Sequence, residues 1–347
     1  MTLLRPPLLA VVAGDPGGGN AMVPVIEALQ AAGWPHRLYA YAESARLWRE
    51  RGWPVADAAQ VALGDSRAVL CASSVNAGMH ELDWILAAQG AGLPCLALLD
   101  FWSNYRARFL RAGQLCLPDL IAVPDGLAHD EMVAAGFPAE SLLICGQPAL
   151  DKVARHGGML TPARRSALRT ACGVADGQAL LLFVSQPLRL LATQLKEPPA
   201  IDEAAALRDV EAALASLGRP LALRVKPHPR EDPADFAGIG AIWPDTRLAP
   251  EALAHDLLVA SDMVVGIHSM LLLEACYLGC RVLSYQPGRP ASDPLPSNRS
   301  GLSRRCDDPA ELAAMLAGML DAPPPAPPAL DGKSAQRVLA GLAALLA

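Results

Sequence analysis

The chain has 347 residues, 52% hydrophobic and only 18% charged, a balance that argues against disorder and suits two domains of ordinary size. Its 29 basic and 35 acidic side chains give a net charge of -6 with no run of five or six like charges, which argues against a nucleic-acid binder. Mean hydropathy is positive, +0.25, yet no apolar run reaches the roughly 18 residues of a membrane span, because the nearest, Ile85–Leu99, is broken by Gln89, Gly90, Gly92 and Pro94.

From the N-terminus, Leu8–Ala13, Arg37–Tyr41, Ala68–Ala72, Pro94–Leu99, Leu120–Val123 and Leu142–Cys145 are short apolar runs suited to strands buried on both faces. Segments of helical length, Val23–Ala32, Ser44–Arg51, Met79–Ala91 and Leu127–Ala135, fall between several of them. A βαβ series of this kind predicts a parallel sheet covered on both sides. Asp151–Thr161, with Arg155, His156, Gly157 and Gly158, reads as a break before a helix at Pro162–Ala171. The second half repeats the logic, with strands at Ala179–Val184, Leu221–Val225, Met263–Val265 and Arg281–Ser284, and helices at Asp202–Leu217, Ser269–Leu278 and Pro309–Leu320. Pro323–Pro328 is expected to be a stiff connector, and Lys333–Leu346 a last helix packing back across the domain boundary. The expected architecture is α/β, two doubly wound Rossmann-like domains facing a cleft at 1–155 and 156–322, with connector and helix at 323–347.

The opening stretch MTLLRPPLLAVVAGD lacks the charged segment and cleavage site of a signal peptide, so a cytoplasmic protein is expected. The eight cysteines are scattered without a CxxC pair and read as reduced core residues.

Ligands of open parallel sheets sit beyond the carboxyl ends of the strands, which directs attention to four loops. The first, Gly14-Asp15-Pro16-Gly17-Gly18-Gly19-Asn20, would let backbone approach a ligand ahead of a helix N-terminus, or is simply a tight strand-to-helix turn. It is neither GxGxxG nor a P-loop, and Asp15 is its candidate general base. The second, Lys226-Pro227-His228-Pro229-Arg230, is a turn stiffened by two prolines, with positive charge on both sides of a histidine. Fixed donors beside compensating charge suit a phosphate or diphosphate. In the third, Gly266-Ile267-His268-Ser269-Met270, Ser269 can cap the following helix. Glu274, amid apolar neighbours in that helix, needs a partner, either a ribose diol or a salt-bridging side chain. The fourth, Asp100–Arg108, mixes aromatic and polar groups suited to a sugar, although Trp102 would serve equally as a core plug; Asp100 is the alternative base, and Ser73, Ser74, Asn76 and His80, after the third strand, are candidates to line the same cleft.

Two doubly wound halves, the glycine-rich first turn, a Gly146-Gln147-Pro148 turn, the Lys-Pro-His-Pro loop and the G-x-H-S-x4-E pattern together resemble the GT-B superfamily of nucleotide-sugar glycosyltransferases and sugar-nucleotide 2-epimerases. The resemblance implies a C-terminal domain that binds the donor nucleotide and an N-terminal domain that binds mainly the acceptor. It implies that Glu274 grips the ribose, that His268, Ser269 and Met270 lie near the phosphates, and that Ser185 and Gln186 belong to another donor-side loop. The Lys226–Pro229 loop is similar to the HP motif of bacterial sialyltransferases and of capsule and teichoic-acid transferases with CMP- or CDP-linked donors, which makes His228 the donor-phosphate contact. Gly17, Gly18, Gly19, Asn20, Ser74, Asn76 and Trp102 fall on the acceptor side. No D/E-D/E-G motif, arginine-rich epimerase constellation or Asp-x-Asp metal motif is evident. The expectation is therefore an inverting glycosyltransferase without cofactor or metal, partnered by a nucleotide-sugar and a glycan, lipid-linked or protein acceptor. Nucleic acid is not an expected partner, and a lipid-linked acceptor would bring the protein to the inner face of the cytoplasmic membrane. An epimerase or hydrolase on the same scaffold, or a non-catalytic nucleotide-binding partner, is the alternative.

Overall fold

The structure, a computed structural model, describes residues 7–76, 78–157, 161–192, 200–252, 254–288 and 293–347. The first six residues of the opening stretch, and Gly158 of the expected break, lie outside them. The chain divides into two compact units, Met1–Lys152 with Asp331–Ala347, and Val153–Leu330.

In the first unit the strands are β1 (Leu9–Ala13), β2 (His36–Ala40), β3 (Val55–Asp57), β4 (Ala68–Cys71), β5 (Cys95–Leu98), a small antiparallel hairpin of β6 (Leu110–Arg111) and β7 (Gln114–Leu115), then β8 (Leu120–Val123) and β9 (Leu142–Ile144). The helices are α1 (Pro16–Ala31), α2 (Ala42–Arg49), α3 (Glu81–Ala91), α4 (Tyr105–Phe109), α5 (Gly126–Ala134) and α6 (Asp151–Gly157), the last running across the division between the units. Strand order is β3-β2-β1-β4-β5-β8-β9 with every pairing parallel, so the winding reverses between β1 and β4. Helices cover both faces, which is why β1, β4 and β5 are buried along their whole length and are spelled in apolar residues.

Two local readings of the sequence are corrected here. The glycine-rich segment is the first turn of α1, which begins at Pro16 rather than at Val23. Proline suits that position, since it gives up an N–H that would have no partner. The expected break at Asp151 is instead the short helix α6, because Arg155 and His156 disturb the apolar pattern without disturbing helical backbone.

The second unit contains α7 (Pro162–Ala171), β10 (Ala179–Val184), α8 (Leu188–Ala192), α9 (Glu203–Leu217), β11 (Leu221–Lys226), β12 (Thr246–Leu248), α10 (Ala254–Ala260), β13 (Met263–Gly266), α11 (Met270–Tyr277), β14 (Arg281–Tyr285), α12 (Pro296–Arg299), β15 (Arg304–Cys306) and α13 (Leu312–Asp321). Its parallel order is β12-β11-β10-β13-β14-β15, reversing between β10 and β13. Alternation along β10 divides the core into two layers. Leu181 and Phe183 pack with Val210, Leu214 and Leu316 on one face, and Leu180, Leu182 and Val184 with Leu257, Leu258 and Leu272 on the other.

The C-terminal helix α14 (Ser334–Leu345) belongs to the first unit, where Ala335, Val338 and Leu342 join the core of β1 and α1. The Asp151 carboxylate accepts from the Ser334 and Ala335 amides at 3.2 and 3.1 Å, satisfying the start of that helix. The stretch from Pro323 to Leu330 goes with the second unit, so the expected third segment is shared between the two. All eight cysteines are buried free thiols.

Candidate functional site

In the second unit, β11, β10 and β13 are neighbours, and their register sets Val184 opposite both Lys226 and Gly266. The loops after these strands therefore leave one edge of the sheet together, at the point where the winding reverses. A Cβ on Gly266 would lie 2.9 Å from the Val184 carbonyl oxygen, so only glycine allows β13 to end this close to β10.

Ser185, Lys226 and His228 are joined along this edge through their own bonds and one unexpected residue, Glu231, while Gln186 bonds to His268 in the loop after β13, next to Ser269. The Ser185 hydroxyl donates to Glu231 Oε1 at 2.7 Å, and the His228 amide donates to Glu231 Oε2 at 2.5 Å. The Arg230 amide donates to His228 Nδ1 at 3.1 Å, across Pro229. Burial, reinforced by Arg230 and Lys226, pushes the His228 imidazole below its ordinary range, favouring the neutral ring at pH 7. Burial likewise lowers the Lys226 ammonium, against the pull of Glu231, and its Nζ donates to the Pro227 carbonyl at 3.2 Å. Glu231 is pushed up by its own burial.

Gln186 clamps the neighbouring loop. Its Oε1 accepts the His268 amide at 2.7 Å, which identifies the other amide atom, 3.0 Å from His268 Nδ1, as an NH2 donor to that nitrogen. Ser269 caps α11 by accepting the Leu271 amide at 3.3 Å, and Met270 is the first residue of the helix. Glu274 has its partner within the chain, a hydrogen bond with His255 Nε2. This contact is the salt-bridging alternative.

Three buried carboxylates of the first unit, Asp15, Glu81 and Asp100, lie beyond the ends of β1, β4 and β5. Asp15 is only 6% exposed, and its Oδ2 accepts from the Val75 amide at 2.8 Å, the Asn76 amide at 3.0 Å and Asn76 Nδ2 at 3.4 Å. Asp15 thus anchors the loop after β4. Its own amide donates to Ser74 Oγ, and Ser74 donates to the buried Glu81 at 2.6 Å. Tyr41 donates to the other Glu81 oxygen and accepts the His80 amide at 3.2 Å. Burial raises Glu81 despite these donors.

Asp100 is arranged differently. Arg108 donates to its Oδ1 at 2.5 Å, and Ser73 lies 3.5 Å from the same oxygen. Gln147 donates to its backbone carbonyl at 2.6 Å. Burial holds the Asp100 carboxyl above the usual range, with Arg108 pulling the other way. A Cβ on Gly17 would come within 2.1 Å of Asp100 Oδ2, so glycine at this position makes room for that carboxylate. Gly18 and Gly19 are pressed against Ala72 and Ser44, and Asn20 donates back to the Pro16 carbonyl at 2.8 Å. Trp102 is 1% exposed and gives its indole N–H to Asp125 at 2.7 Å; it fills the core and offers no ring face to a sugar.

Sequence reasoning passed over Glu231, Arg108, Glu81 and Tyr41 as functional groups. Glu231 had a local signal, a carboxylate three residues after His228 in a proline-stiffened turn. Tyr41 and Glu81 meet only in three dimensions.

No family model and no curated protein matches the chain. Among solved structures it is similar to UDP-GlcNAc 2-epimerase from Neisseria meningitidis bound to UDP-GlcNAc (TM-score 0.66, 12% identity, 97% of this chain and 100% of that one). It is also similar to UDP-GlcNAc 2-epimerase from Methanocaldococcus jannaschii in complex with UDP-GlcNAc and UDP (0.62, 12%, 97% and 99%). A glycosyltransferase from Rickettsia africae matches over 99% of this chain and 94% of that one (0.59, 10%). At such identities the likeness is one of fold, and that fold is GT-B.

Proposed function

We propose that the chain is a glycosyltransferase that takes a sugar from a nucleotide-sugar, with the donor diphosphate or phosphate held at the carboxyl edge of β10, β11 and β13. The observation that carries this reading is the convergence of Lys226, His228, Gln186, His268 and Ser269 on one sheet edge at the winding reversal, where open α/β sheets bind their ligands. Lys226 and Arg230 supply positive charge to a leaving phosphate, His228 a neutral N–H, and the first turn of α11 its backbone amides. Glu274, oriented by His255, is the group we assign to the ribose hydroxyls. Of the two candidate bases, Asp100 is favoured, because burial raises its basicity and Arg108 and Ser73 approach only its Oδ1, while Asp15 Oδ2 is engaged by three N–H groups. The acceptor is a glycan, lipid-linked or protein hydroxyl.

The second reading, a sugar-nucleotide 2-epimerase, is favoured by the Neisseria epimerase's TM-score of 0.66 against 0.59 for the Rickettsia transferase. The two readings separate in one assay. Purified protein is screened by thermal shift against CMP, CDP, UDP, GDP and TDP, since a ligand of the folded state raises the midpoint according to its affinity. The sugar-nucleotide of the base that binds is then incubated with and without acceptor. A transferase consumes donor only with acceptor, whereas an epimerase forms a new sugar-nucleotide without one. His228→Ala should abolish the nucleotide shift and lower turnover more than about 10-fold, equivalent to roughly 1.4 kcal/mol or more of transition-state stabilisation. If none of the five nucleotides shifts the wild-type midpoint, the reading fails.

A further inference from the structure

We propose that Glu231 is the positioning residue of the His228 loop: by joining Ser185 Oγ to the His228 amide it closes the turn in which the Arg230 N–H holds His228 Nδ1 as an acceptor, so the histidine meets its ligand as an Nε2–H donor and transfers no proton. This deepens the phosphate-binding reading above and rests on it only for the identity of the ligand.

The argument begins with the backbone. The Glu231 amide donates to the His228 carbonyl at 2.9 Å, and the Glu231 carboxylate returns to the His228 amide at 2.5 Å. The four residues from His228 to Glu231 are thus closed from both ends, with Pro229 fixing one backbone torsion between them. The other carboxylate oxygen is tied to Ser185, the first residue beyond β10, whose own amide donates to the Lys226 carbonyl at 3.0 Å. The turn is therefore attached to the neighbouring strand. Behind Glu231, the buried Glu203 is held by the Arg189 amide and guanidinium at 3.1 and 2.9 Å.

Within the closed turn the imidazole has little choice. The Arg230 amide is a permanent donor, so Nδ1, 3.1 Å away, must carry a lone pair, and the proton of the neutral ring sits on Nε2. An imidazolium would set two N–H groups against each other at that distance. Lys226 and Arg230 flank the ring with like charge and oppose the cation further, while Glu231 spends its charge on the backbone amide and not on the ring. A donor that cannot accept at Nε2 and resists a second proton is suited to a phosphoryl oxygen and unsuited to general base work. Ser185 gives its hydroxyl proton to a carboxylate oxygen and Glu231 meets only the main chain of His228, so neither side chain bonds the imidazole.

The experiment is nitrogen NMR of the full chain with 15N-labelled histidine, the His228 signals being assigned by their loss in His228→Gln. Wild type should show His228 as the Nε2–H tautomer alone at pH 7. Glu231→Ala should populate the Nδ1–H form as well. Glu231→Gln, with one acceptor oxygen for two donors, should lie between, and it carries the test if the alanine variant does not fold. A wild-type His228 protonated on Nδ1, or a tautomer balance unchanged in the folded Glu231 variants, overturns the proposal. CDP and UDP are titrated in a separate arm: if neither moves His228 Nε2 in wild type, binding of those nucleotides at this loop is lost while the tautomer result still decides the role of Glu231.

Discussion

Replacing Arg108 with Met removes one half of a buried ion pair and leaves the other half behind. The two side chains are 4% and 8% exposed and lie 2.5 Å apart. Arg108 also donates to the carbonyls of Ser103 at 3.0 Å and Ser73 at 3.1 Å, so the substitution strands a carboxylate and two carbonyls at once. Breaking a buried pair from one side costs about 3–5 kcal/mol. For a unit of this size each kcal/mol shifts the midpoint by about 2–4 °C, which predicts a loss of roughly 6–20 °C. The deficit should depend on pH with a definite sign. Burial already holds Asp100 above the usual carboxylate range, and without Arg108 it rises further. A folded-state pKa above the unfolded value of about 3.9 means that the folded chain binds a proton more tightly. Stability from this group is then fully present below that value and lost as pH rises through the folded pKa, so the deficit against wild type is smaller at pH 5 than at pH 8. Tryptophan fluorescence during denaturation follows the correct unit, since Trp34, Trp48, Trp53, Trp84 and Trp102 lie in the first and only Trp243 in the second. A probe of one unit is needed because a two-unit chain has no single unfolding free energy. Adding Asp100→Asn should recover most of the loss. A deficit under about 1 kcal/mol, or one that does not change with pH, refutes the assignment of a desolvated pair.

Two further outcomes test other parts of the first unit. Tyr41→Phe removes a donor to Glu81, which is 2% exposed and raised by burial, and should cost about 1–3 kcal/mol. By the same sign argument the loss is larger at pH 8 than at pH 5, and denaturation at the two pH values checks it. Asp151→Ala removes the acceptor for the first amides of α14 and should cost about 1–2 kcal/mol. Hydrogen exchange across Ser334–Leu345 should quicken by roughly 5–30-fold where exchange proceeds through undocking of that helix.

The amino-acid sequence determined the layers. Central strands buried on both faces must be written in apolar residues, so Leu120–Val123 and Ala179–Val184 are visible to the residue, as is the helix Pro162–Ala171. Edge strands are another matter. Val55–Asp57 and Thr246–Leu248 pair on one side only and carry exposed residues, which leaves no apolar run to find. The His228 loop is legible because prolines and charges act locally. What tertiary structure alone decided is how each carboxylate is used. Asp15 and Asp100 look alike in sequence, each following an apolar strand, yet one receives two backbone amides and the other an arginine eight residues on. Glu274 awaited a partner that proved to be His255, nineteen residues earlier. Gly18 and Gly19 of the glycine-rich turn pack against Ala72 and Ser44, and Gly17 leaves room for the Asp100 carboxylate that only the parallel register of β1, β4 and β5 brings to it. Burial and hydrogen bonding depend on what the folded chain places around a group, and short-range sequence does not encode those distances.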